Sequence, residues 1–275
     1  MKSLSNKVVV ITGAGSGIGR ALALNVAAKG ARVAISDWNE EGLAETVDLL
    51  KNAGAAEIKA DQLDVSDKDA FIAYAAGVKE HFGVVNVVIN NAGVSHSGPV
   101  TDMAYEDFEW IVGVNFWGVV YGTKEFLPHL IESGDGHLVN ISSLFGLVSM
   151  PGQSTYNATK YAVRGFTESV REDMLVGKHP VGVTCVHPGG IKTGIARNGR
   201  ATAHEDVSKL AEVFDTKLAR MSPDKAADII VGAIQANRPR QLVGIDAHAI
   251  HWFGKLLGAR YQDLVSLGAN RVLPH

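Results

Sequence analysis

The chain has 275 residues, 46% of them hydrophobic, and a formal net charge of −3. This length and composition are ordinary for one large α/β domain with a sizeable core. Mixed charges without a basic run disfavour nucleic-acid binding. The single cysteine, Cys185, excludes an intrachain disulfide, and its apolar surroundings indicate a core residue rather than a nucleophile.

The N-terminal residues precede the first predicted strand without a long apolar segment or a small-residue cleavage site. No run of about eighteen apolar residues occurs in the chain. We therefore expect a cytoplasmic protein without an integral membrane segment.

The first predicted unit is a strand, a glycine-rich turn and a helix. Residues 7–12 form an apolar, β-branched run, residues 12–19 read TGAGSGIG, and an alanine- and leucine-rich helix follows as far as Gly30. Free N–H groups and the helix dipole at such a turn attract a pyrophosphate. The spacing is G-x-x-x-G-x-G rather than G-x-G-x-x-G, and a tight connection without a ligand is the alternative.

The second predicted strand, residues 31–36, ends at Asp37, twenty residues after Gly17. A carboxylate near this spacing binds the adenosine ribose of NAD and repels the 2′-phosphate of NADP. Arg20 and Arg32 are the nearest cations that would favour NADP instead. Asp37 could also serve as the N-cap of a helix that begins near Glu40.

Further strands are predicted at residues 56–60, 86–90, 137–141, 181–186 and 241–244, with helical patterns between them. This alternation predicts an α/β fold: a single Rossmann-type doubly wound domain, with a mostly parallel seven-stranded sheet and helices on both faces. Gly13, Asn90, Ser143 and Pro188 each follow a strand. We therefore expect them at the same edge of the sheet, beyond the carboxyl ends of the strands.

Tyr156 and Lys160 stand four residues apart, and Ser143 lies thirteen residues upstream of Tyr156. On a helix, this pair shares a face, so a lysine charge near the phenol would lower its pKa from about 10 and allow proton transfer. Ser143 would orient the substrate oxygen, and Ser142 is a rival hydroxyl. An ordinary amphipathic helix would also carry such a Tyr–Lys pair.

These features resemble the short-chain dehydrogenase/reductase family from Lys7 to about Gly244. Further segments carry the resemblance: Leu63-Asp64-Val65, Asn90-Asn91-Ala92-Gly93, Asn115 within a helical run, and Pro188-Gly189-Gly190-Ile191-Lys192-Thr193. The resemblance implies a catalytic tetrad of Asn115, Ser143, Tyr156 and Lys160, in which Asn115 holds a water that connects to Lys160.

The resemblance also implies a cofactor site for NAD, with NADP as the alternative. Asp64 would meet the adenine, Thr193 the nicotinamide carboxamide, and Lys160 the nicotinamide ribose. The expected cofactor-binding residues are Gly13, Ser16, Gly17, Ile18, Gly19, Asp37, Asp64, Val65, Asn91, Ala92, Gly93, Tyr156, Lys160, Pro188, Gly189, Ile191 and Thr193. No metal is expected.

Residues 189–222 show weak order in the sequence and are a candidate substrate lid. The expected substrate-contacting residues are Ser143, Phe145, Met150 and Tyr156. The wider lining is predicted to include Val94, His96, Leu147, Val148 and Ile195. Because this lining is mostly apolar, it favours a hydrophobic alcohol or ketone, although the same residues could belong to the core.

Residues 246–275 form a C-terminal extension in which Trp252, Phe253, Leu256, Leu257 and Tyr261 fall near helical spacing. Such a stripe indicates core or subunit contact, with peripheral membrane contact as the alternative. The family resemblance implies a homodimer or homotetramer, with the helices that carry Asn115 and Tyr156 at one interface.

The sequence thus predicts an NAD(P)-dependent oxidoreductase that interconverts a hydrophobic secondary alcohol and its ketone by hydride transfer, with Tyr156 as acid or base. Two alternatives are open. One is a reductase of carrier-bound β-ketoacyl groups, for which no obvious basic patch is present. The other is a sensor that binds a dinucleotide without catalysis.

Overall fold

The computed structural model describes residues 1–203, 205 and 207–269. Positions 204 and 206 of the predicted lid and positions 270–275 of the C-terminal extension lie outside the described residues. Within that part of the chain, the strands are β1 (Val8–Thr12), β2 (Arg32–Asp37), β3 (Ile58–Gln62), β4 (Val87–Asn90), β5 (His96–Ser97), β6 (Gly136–Ile141), β7 (Val181–Pro188), β8 (Arg200–Ala201) and β9 (Arg240–Val243).

Seven of these strands form one parallel sheet in the order β3-β2-β1-β4-β6-β7-β9. The predicted fold class is confirmed, and each predicted strand overlaps an observed one. The order reverses between β1 and β4, which is where open α/β sheets bind ligands. The sequence did not predict a second sheet, in which β5 pairs with β8, because two-residue strands carry no detectable periodicity.

Helices flank the sheet on both faces. They are α1 (Gly17–Ala28), α2 (Glu40–Asn52), α3 (Lys68–Phe82), α4 (Tyr105–Val112), α5 (Gly118–Glu132), α6 (Ser154–Val176), α7 (Val207–Val213), α8 (Pro223–Gln235), α9 (Ile245–Leu257) and α10 (Tyr261–Ala269). Among the described helices, none is both long and apolar enough to cross a bilayer.

The core lies on both sides of the sheet, and β1 shows why its sequence is apolar throughout. Val9 and Ile11 pack into a cluster with α1 and α8, whereas Val8 and Val10 pack into another with α3 and α5. Since alternate residues of a strand point to opposite faces, a strand covered on both faces needs apolar side chains at every position. Cys185 on β7 is also fully buried, and burial raises the pKa of its thiol to about 12.

An aromatic cluster fixes α3 and α5 against the sheet. The Phe126 ring lies 6.4 Å from the Phe71 ring and 6.1 Å from the Tyr74 ring, both edge to face. Phe126 has no solvent exposure. Removing its ring would therefore leave a cavity that rigid secondary structure cannot fill.

We predict that Phe126→Ala lowers the free energy of unfolding by about 3–5 kcal/mol, since it loses both transfer free energy and packing. Urea denaturation followed by circular dichroism measures this change. Phe253→Ala, at an exposed position on α9, is the matched control and should change the stability by less than about 1 kcal/mol. Equal losses in the two variants would contradict the assignment of Phe126 to the core.

Candidate active site

The glycine turn joins β1 to α1 and depends on the small size of its residues. Gly13 and Gly17 have positive φ angles of 68° and 53°. A Cβ atom on Gly13 would lie 2.7 Å from Ala92 Cα, and one on Gly19 would overlap the Gly13 carbonyl. Ser16 is the N-cap of α1, and its side chain makes no capping hydrogen bond. The first N–H groups of α1 therefore remain available to an anion.

Hydrogen bonds brace this turn against the segment that follows β4. The Asn91 side-chain amide donates to the carbonyl oxygens of Thr12 (2.9 Å) and Gly13 (3.1 Å). In return, the Thr12 hydroxyl accepts from the backbone N–H groups of Asn91 and Ala92, each at 3.1 Å. The Asn91 side chain thus shapes the turn, a role that the sequence did not reveal.

Asp37, at the carboxyl end of β2, is 9% exposed and is held by backbone groups. Its Oδ2 accepts from Gly15 N at 2.8 Å, and its Oδ1 accepts from Asn39 N at 2.9 Å. The N-cap of α2 is Asn39, whose side chain accepts from Gly42 N. The alternative that Asp37 caps this helix is therefore wrong, and its carboxylate instead borders the glycine turn.

The two arginines that the sequence offered as cations favouring NADP both have other partners. The Arg20 guanidinium donates to the carbonyl oxygens of Gly15 and Gly42, the Glu45 carboxylate and the Thr46 hydroxyl. Arg32 lies at the amino end of β2, where it pairs with Glu57 at 3.6 Å. That position is at the opposite end of the strand from Asp37.

Ser143, Tyr156 and Lys160 come together at the same sheet edge. Ser143 follows β6, and the other two lie in the first two turns of α6. All three are buried. The Lys160 Nζ atom lies 5.5 Å from the Tyr156 ring centroid and donates to the Ile141 carbonyl at 3.2 Å.

Burial shifts the pKa values of Tyr156 and Lys160. It raises the pKa of the Tyr156 phenol, and a hydrogen bond with Ser143 opposes that rise. Burial also lowers the pKa of Lys160 to about 8. The sequence predicted a lowered pKa for Tyr156, and the direction is the opposite because desolvation outweighs the hydrogen bond with Ser143. The phenol is therefore protonated at neutral pH in this structure.

The two adjacent serines have different roles. The Ser142 hydroxyl donates to the Lys160 carbonyl at 2.8 Å and so fixes α6 to the sheet edge. Ser143 instead interacts with the phenol, while its Oγ also accepts from Phe145 N at 3.1 Å. His187 Nδ1 lies 2.8 Å from the Ser143 carbonyl oxygen, and burial lowers the pKa of this histidine to about 4. A neutral His187 that donates from Nδ1 thus holds Ser143, which no local pattern in the sequence indicated.

Asn115 is fully buried in a π-helical segment, Gly113–Trp117, that joins α4 to α5. Its Oδ1 accepts from Val94 N at 2.8 Å, and its Nδ2 donates to Val94 O at 2.9 Å and Thr159 Oγ1 at 3.3 Å. A Cβ on Gly93 would lie 3.3 Å from both Asn115 Oδ1 and Lys160 Nζ. Asn115 and Lys160 therefore converge beside Gly93, and the run around Asn115, which the sequence predicted as helical, is π-helical.

The segment after β7 closes over the glycine turn. A Cβ on Gly17 would meet Thr193 Cγ2 at 3.1 Å. A cavity of about 490 Å³ lies between the two segments, with Ser16, Gly17 and Thr193 among its lining residues. Ile191 bridges to Met221. This arrangement brings the predicted residues of the turn and of segment 188–193 together.

Asp246, from the first turn of α9, anchors segment 188–193. Its Oδ2 accepts from Gly190 N at 2.6 Å. A Cβ on Gly189 or on Gly244 would overlap the same carboxylate. Sequence reasoning missed this residue because only the fold brings the C-terminal extension next to this segment.

The predicted adenine-side residues lie after β3. The Asp64 carboxylate is exposed and accepts from Ser66 N at 2.9 Å and Ser66 Oγ at 2.7 Å. Val65 is buried, and a Cβ on Gly118 would meet its Cγ2 at 2.8 Å. These contacts place Val65 against α5 and leave Asp64 at the rim of the sheet edge.

The residues predicted to line the substrate site separate into two groups. Phe145 is half-buried, with its ring edge to face against Tyr156 at 6.0 Å, and Met150 borders a cavity of about 530 Å³. Val148 instead packs into a small core cluster with Ala247 and Tyr261. The expectation that Val148 lines the site is therefore wrong, because the C-terminal helices cover it.

The other predicted lining residues are partly buried, except His96. Val94, Leu147 and Ile195 are half-buried. His96 has no solvent exposure, and its Nε2 lies 3.6 Å from Asp107 Oδ2. Within the described ranges, no three His, Cys, Asp or Glu side chains are grouped so that they could hold a metal ion.

Comparison with known proteins identifies the family. The family model described as short chain dehydrogenase matches residues 7–204. SadH of Mycobacterium tuberculosis, named as an oxidoreductase, is 53% identical over 274 residues, which cover 100% of this chain and 99% of SadH. Human epidermal retinol dehydrogenase 2 is 40% identical over 195 residues, which cover 70% of this chain and 63% of that protein.

Solved structures agree. A short-chain dehydrogenase/reductase from Burkholderia phymatum in complex with NAD matches with a TM-score of 0.87 and 32% identity, over 94% of this chain and 95% of that one. Levodione reductase matches with a TM-score of 0.79 and 29% identity, over 90% of this chain and 98% of that one. The chain belongs to the short-chain dehydrogenase/reductase family of oxidoreductases.

Proposed function

We propose that the protein is an NAD-dependent dehydrogenase that interconverts a hydrophobic secondary alcohol and its ketone. The observation that carries this proposal is the buried Tyr156 phenol beside the Ser143 hydroxyl and the Lys160 ammonium. These groups supply a proton, a hydrogen bond and a positive charge for one substrate oxygen. The neighbouring glycine turn fits the pyrophosphate of a dinucleotide.

In the mechanism, Tyr156 donates its proton to the carbonyl oxygen of a ketone, or accepts the hydroxyl proton of an alcohol. Ser143 donates a hydrogen bond to the same oxygen and orients it. The buried ammonium of Lys160 stabilises the phenolate that proton donation leaves. NAD, when bound, supplies the hydride acceptor for the alcohol, and its reduced form supplies the hydride for the ketone.

Asn115 and Lys160 would connect Tyr156 to solvent. The Asn115 side chain already makes hydrogen bonds with the backbone of Val94. A relay water would therefore bind to the main chain of Asn115. A π-helical segment changes the backbone hydrogen-bond pattern at this position, and such segments are frequent at functional sites. Asn115 is thus proposed as a positioning residue rather than a proton carrier.

The charges around Asp37 support NAD over NADP. Asp37 would accept hydrogen bonds from the adenosine ribose and repel a 2′-phosphate. Arg20 already has four partners, and Arg32 lies at the other end of β2. Neither cation is free to neutralise a phosphate beside Asp37.

The half-buried apolar side chains near Tyr156 support a hydrophobic substrate, and one similar protein is named as a retinol dehydrogenase. We propose residues 189–222 as the lid over this substrate. Two contacts hold the segment near the site: Ser95 Oγ donates to the Ile195 carbonyl at 2.8 Å, and Arg200 pairs with Asp107 at 2.9 Å. Closing the lid would exclude water from the reacting atoms.

We also propose a single domain that assembles as a homodimer or homotetramer through the helices around Asn115 and Tyr156. Exposed aromatic side chains on these helices support the proposal. They are Tyr105, Phe108, Trp117 and Tyr161. Exposed aromatic residues are enriched at subunit interfaces because they bury much area on contact.

We expect Tyr156→Phe to lower kcat by about 10²–10⁴-fold while NADH still binds, because only the transferable proton is lost. Initial rates at 340 nm and NADH fluorescence titration measure the two effects. Tyr161→Phe, on the same helix, is the matched control and should retain turnover. Unchanged turnover in Tyr156→Phe would refute the proposed role.

The wild-type enzyme should prefer NAD to NADP in kcat/KM by about tenfold or more, because a 2′-phosphate would lie near an unneutralised carboxylate. Asp37→Asn should reduce that preference by removing the charge. Asp61→Asn, on the neighbouring strand β3, changes the net charge equally and serves as the control. A preference for NADP in the wild-type enzyme would contradict the argument from Asp37.

The raised pKa of Tyr156 sets the direction of the pH dependence. Alcohol oxidation needs the phenolate and the Lys160 ammonium, whose pKa is about 8, so its kcat/KM should rise with pH from neutrality until Lys160 loses its charge, by up to about tenfold per pH unit. Ketone reduction needs the phenol, so its kcat/KM should not rise over the same range. Log–log pH profiles in both directions measure this, and a falling profile for oxidation would be inconsistent with Tyr156 as the base.

A further inference from the structure

Helix α9 carries apolar side chains on two opposite faces. Its inner face, with Ala247, Ile250 and Gly254, packs against the fold. The outer face is formed by residues that recur at helical spacing and are exposed: Ile245, Ala249, Trp252, Phe253 and Leu256. We call these five residues the outer stripe. Ile245 is 87% exposed and Leu256 80%, so the stripe has no partner within the described chain.

Exposed leucines also occur on α10, the next helix in the chain. Leu264 and Leu267 are 49% and 64% exposed, and Leu257 at the end of α9 is also exposed. Scattered single apolar residues are normal on a protein surface, whereas a contiguous set marks an interaction site. We therefore expect an apolar partner to bind this surface.

The charge pattern specifies that partner. Residues 247–262 contain no aspartate or glutamate, and Asp246 and Asp263 flank this stretch. The Asp246 carboxylate is turned inward, where it accepts from Gly190 N. The cations of the stretch are Lys255 and Arg260, since burial and the neighbouring positive charges lower the pKa of His251. The Lys255 ammonium lies 5.1 Å from the Trp252 ring centroid, at the side of the outer stripe. Trp and Lys beside an apolar face match the region where lipid headgroups meet acyl chains.

The outer stripe is also joined to the substrate side of the molecule. The inner residues Ala247 and Tyr261 form one cluster with Leu144 and Val148, just after Ser143 in the chain. The Tyr261 hydroxyl accepts from Ser149 N at 2.8 Å. A partner on the outer stripe would therefore lie one helix away from the segment that carries the proposed substrate contacts.

We propose that α9 and α10 dock on an anionic lipid surface, from which the enzyme takes its hydrophobic alcohol or ketone. The outer stripe enters the acyl boundary, and the basic side chains face the lipid phosphates. The choice of substrate source rests on the proposed function, whereas the docking itself does not. A second copy fits less well, because an isologous contact would bring the same basic groups together.

Vesicle flotation with the full chain tests docking. The probes are vesicles of phosphatidylcholine alone and of equimolar phosphatidylcholine and phosphatidylglycerol. We expect binding to the anionic vesicles, weakened by salt. Leu256→Glu should lower the partition coefficient by at least about tenfold, since it removes a leucine that docking would bury and a charge resists burial.

The matched control is Leu175→Glu, at a 61%-exposed leucine near the end of α6, which should bind vesicles like the wild type. Thermal melts establish that both variants fold. Absence of wild-type binding, or equal binding by Leu256→Glu, would overturn the proposal. So would self-association in solution that Leu256→Glu alone abolishes, because the outer stripe would then be a contact between copies.

Activity assays separate this proposal from the proposed function. Leu256→Glu should oxidise a short, water-soluble secondary alcohol at the wild-type rate, but should lose at least about tenfold in rate on a long-chain alcohol presented in anionic vesicles. Equal rates on the vesicle substrate would refute delivery from lipid. Lack of turnover on every alcohol by a wild type that floats with vesicles would refute only the enzymatic proposal.

Discussion

The site depends on the hydrogen bonds that join the ends of β1 and β4. Thr12 and Asn91 exchange backbone and side-chain hydrogen bonds across the point where the strand order reverses. This link holds the glycine turn in its tight path, and Ala92 blocks any side chain at Gly13. The same link places Gly93 beside Asn115 and Lys160. One set of short polar contacts thus aligns a proposed phosphate cradle with a proposed proton-transfer group.

Desolvation is the second constraint. The Tyr156–Lys160 pair is buried, and burial alone raises the tyrosine pKa and lowers the lysine pKa to about 8. Each group is thereby shifted toward its neutral form, because a low-dielectric surrounding disfavours either charge. A buried ammonium without a full set of partners is costly, and such perturbed groups cluster at functional sites. A bound ligand that adds hydrogen-bond partners for the Lys160 ammonium would reduce this cost.

The C-terminal helices belong to the same arrangement. Asp246 holds the backbone after β7, Tyr261 holds the backbone near Ser149, and Gly254 lies against Val148. The extension therefore contacts both the segment proposed for cofactor and the segment proposed for substrate. Its inner side is explained by these contacts, whereas its exposed apolar outer side is unexplained by folding alone.

The sequence alone determined the sheet, the glycine turn, Asp37 after β2 and the Tyr156–Lys160 pair, because strand burial, φ angles and helical spacing are local properties. Tertiary structure decided the rest. The direction of the Tyr156 pKa depends on how much of the fold surrounds the phenol. His187 holds the Ser143 carbonyl and Asp246 holds Gly190 N, although these partners are far apart in the chain. Val148 lies in the core rather than in the expected lining, because α9 covers it. Desolvation and long-range contacts arise only when the chain is packed, so no local pattern encodes them.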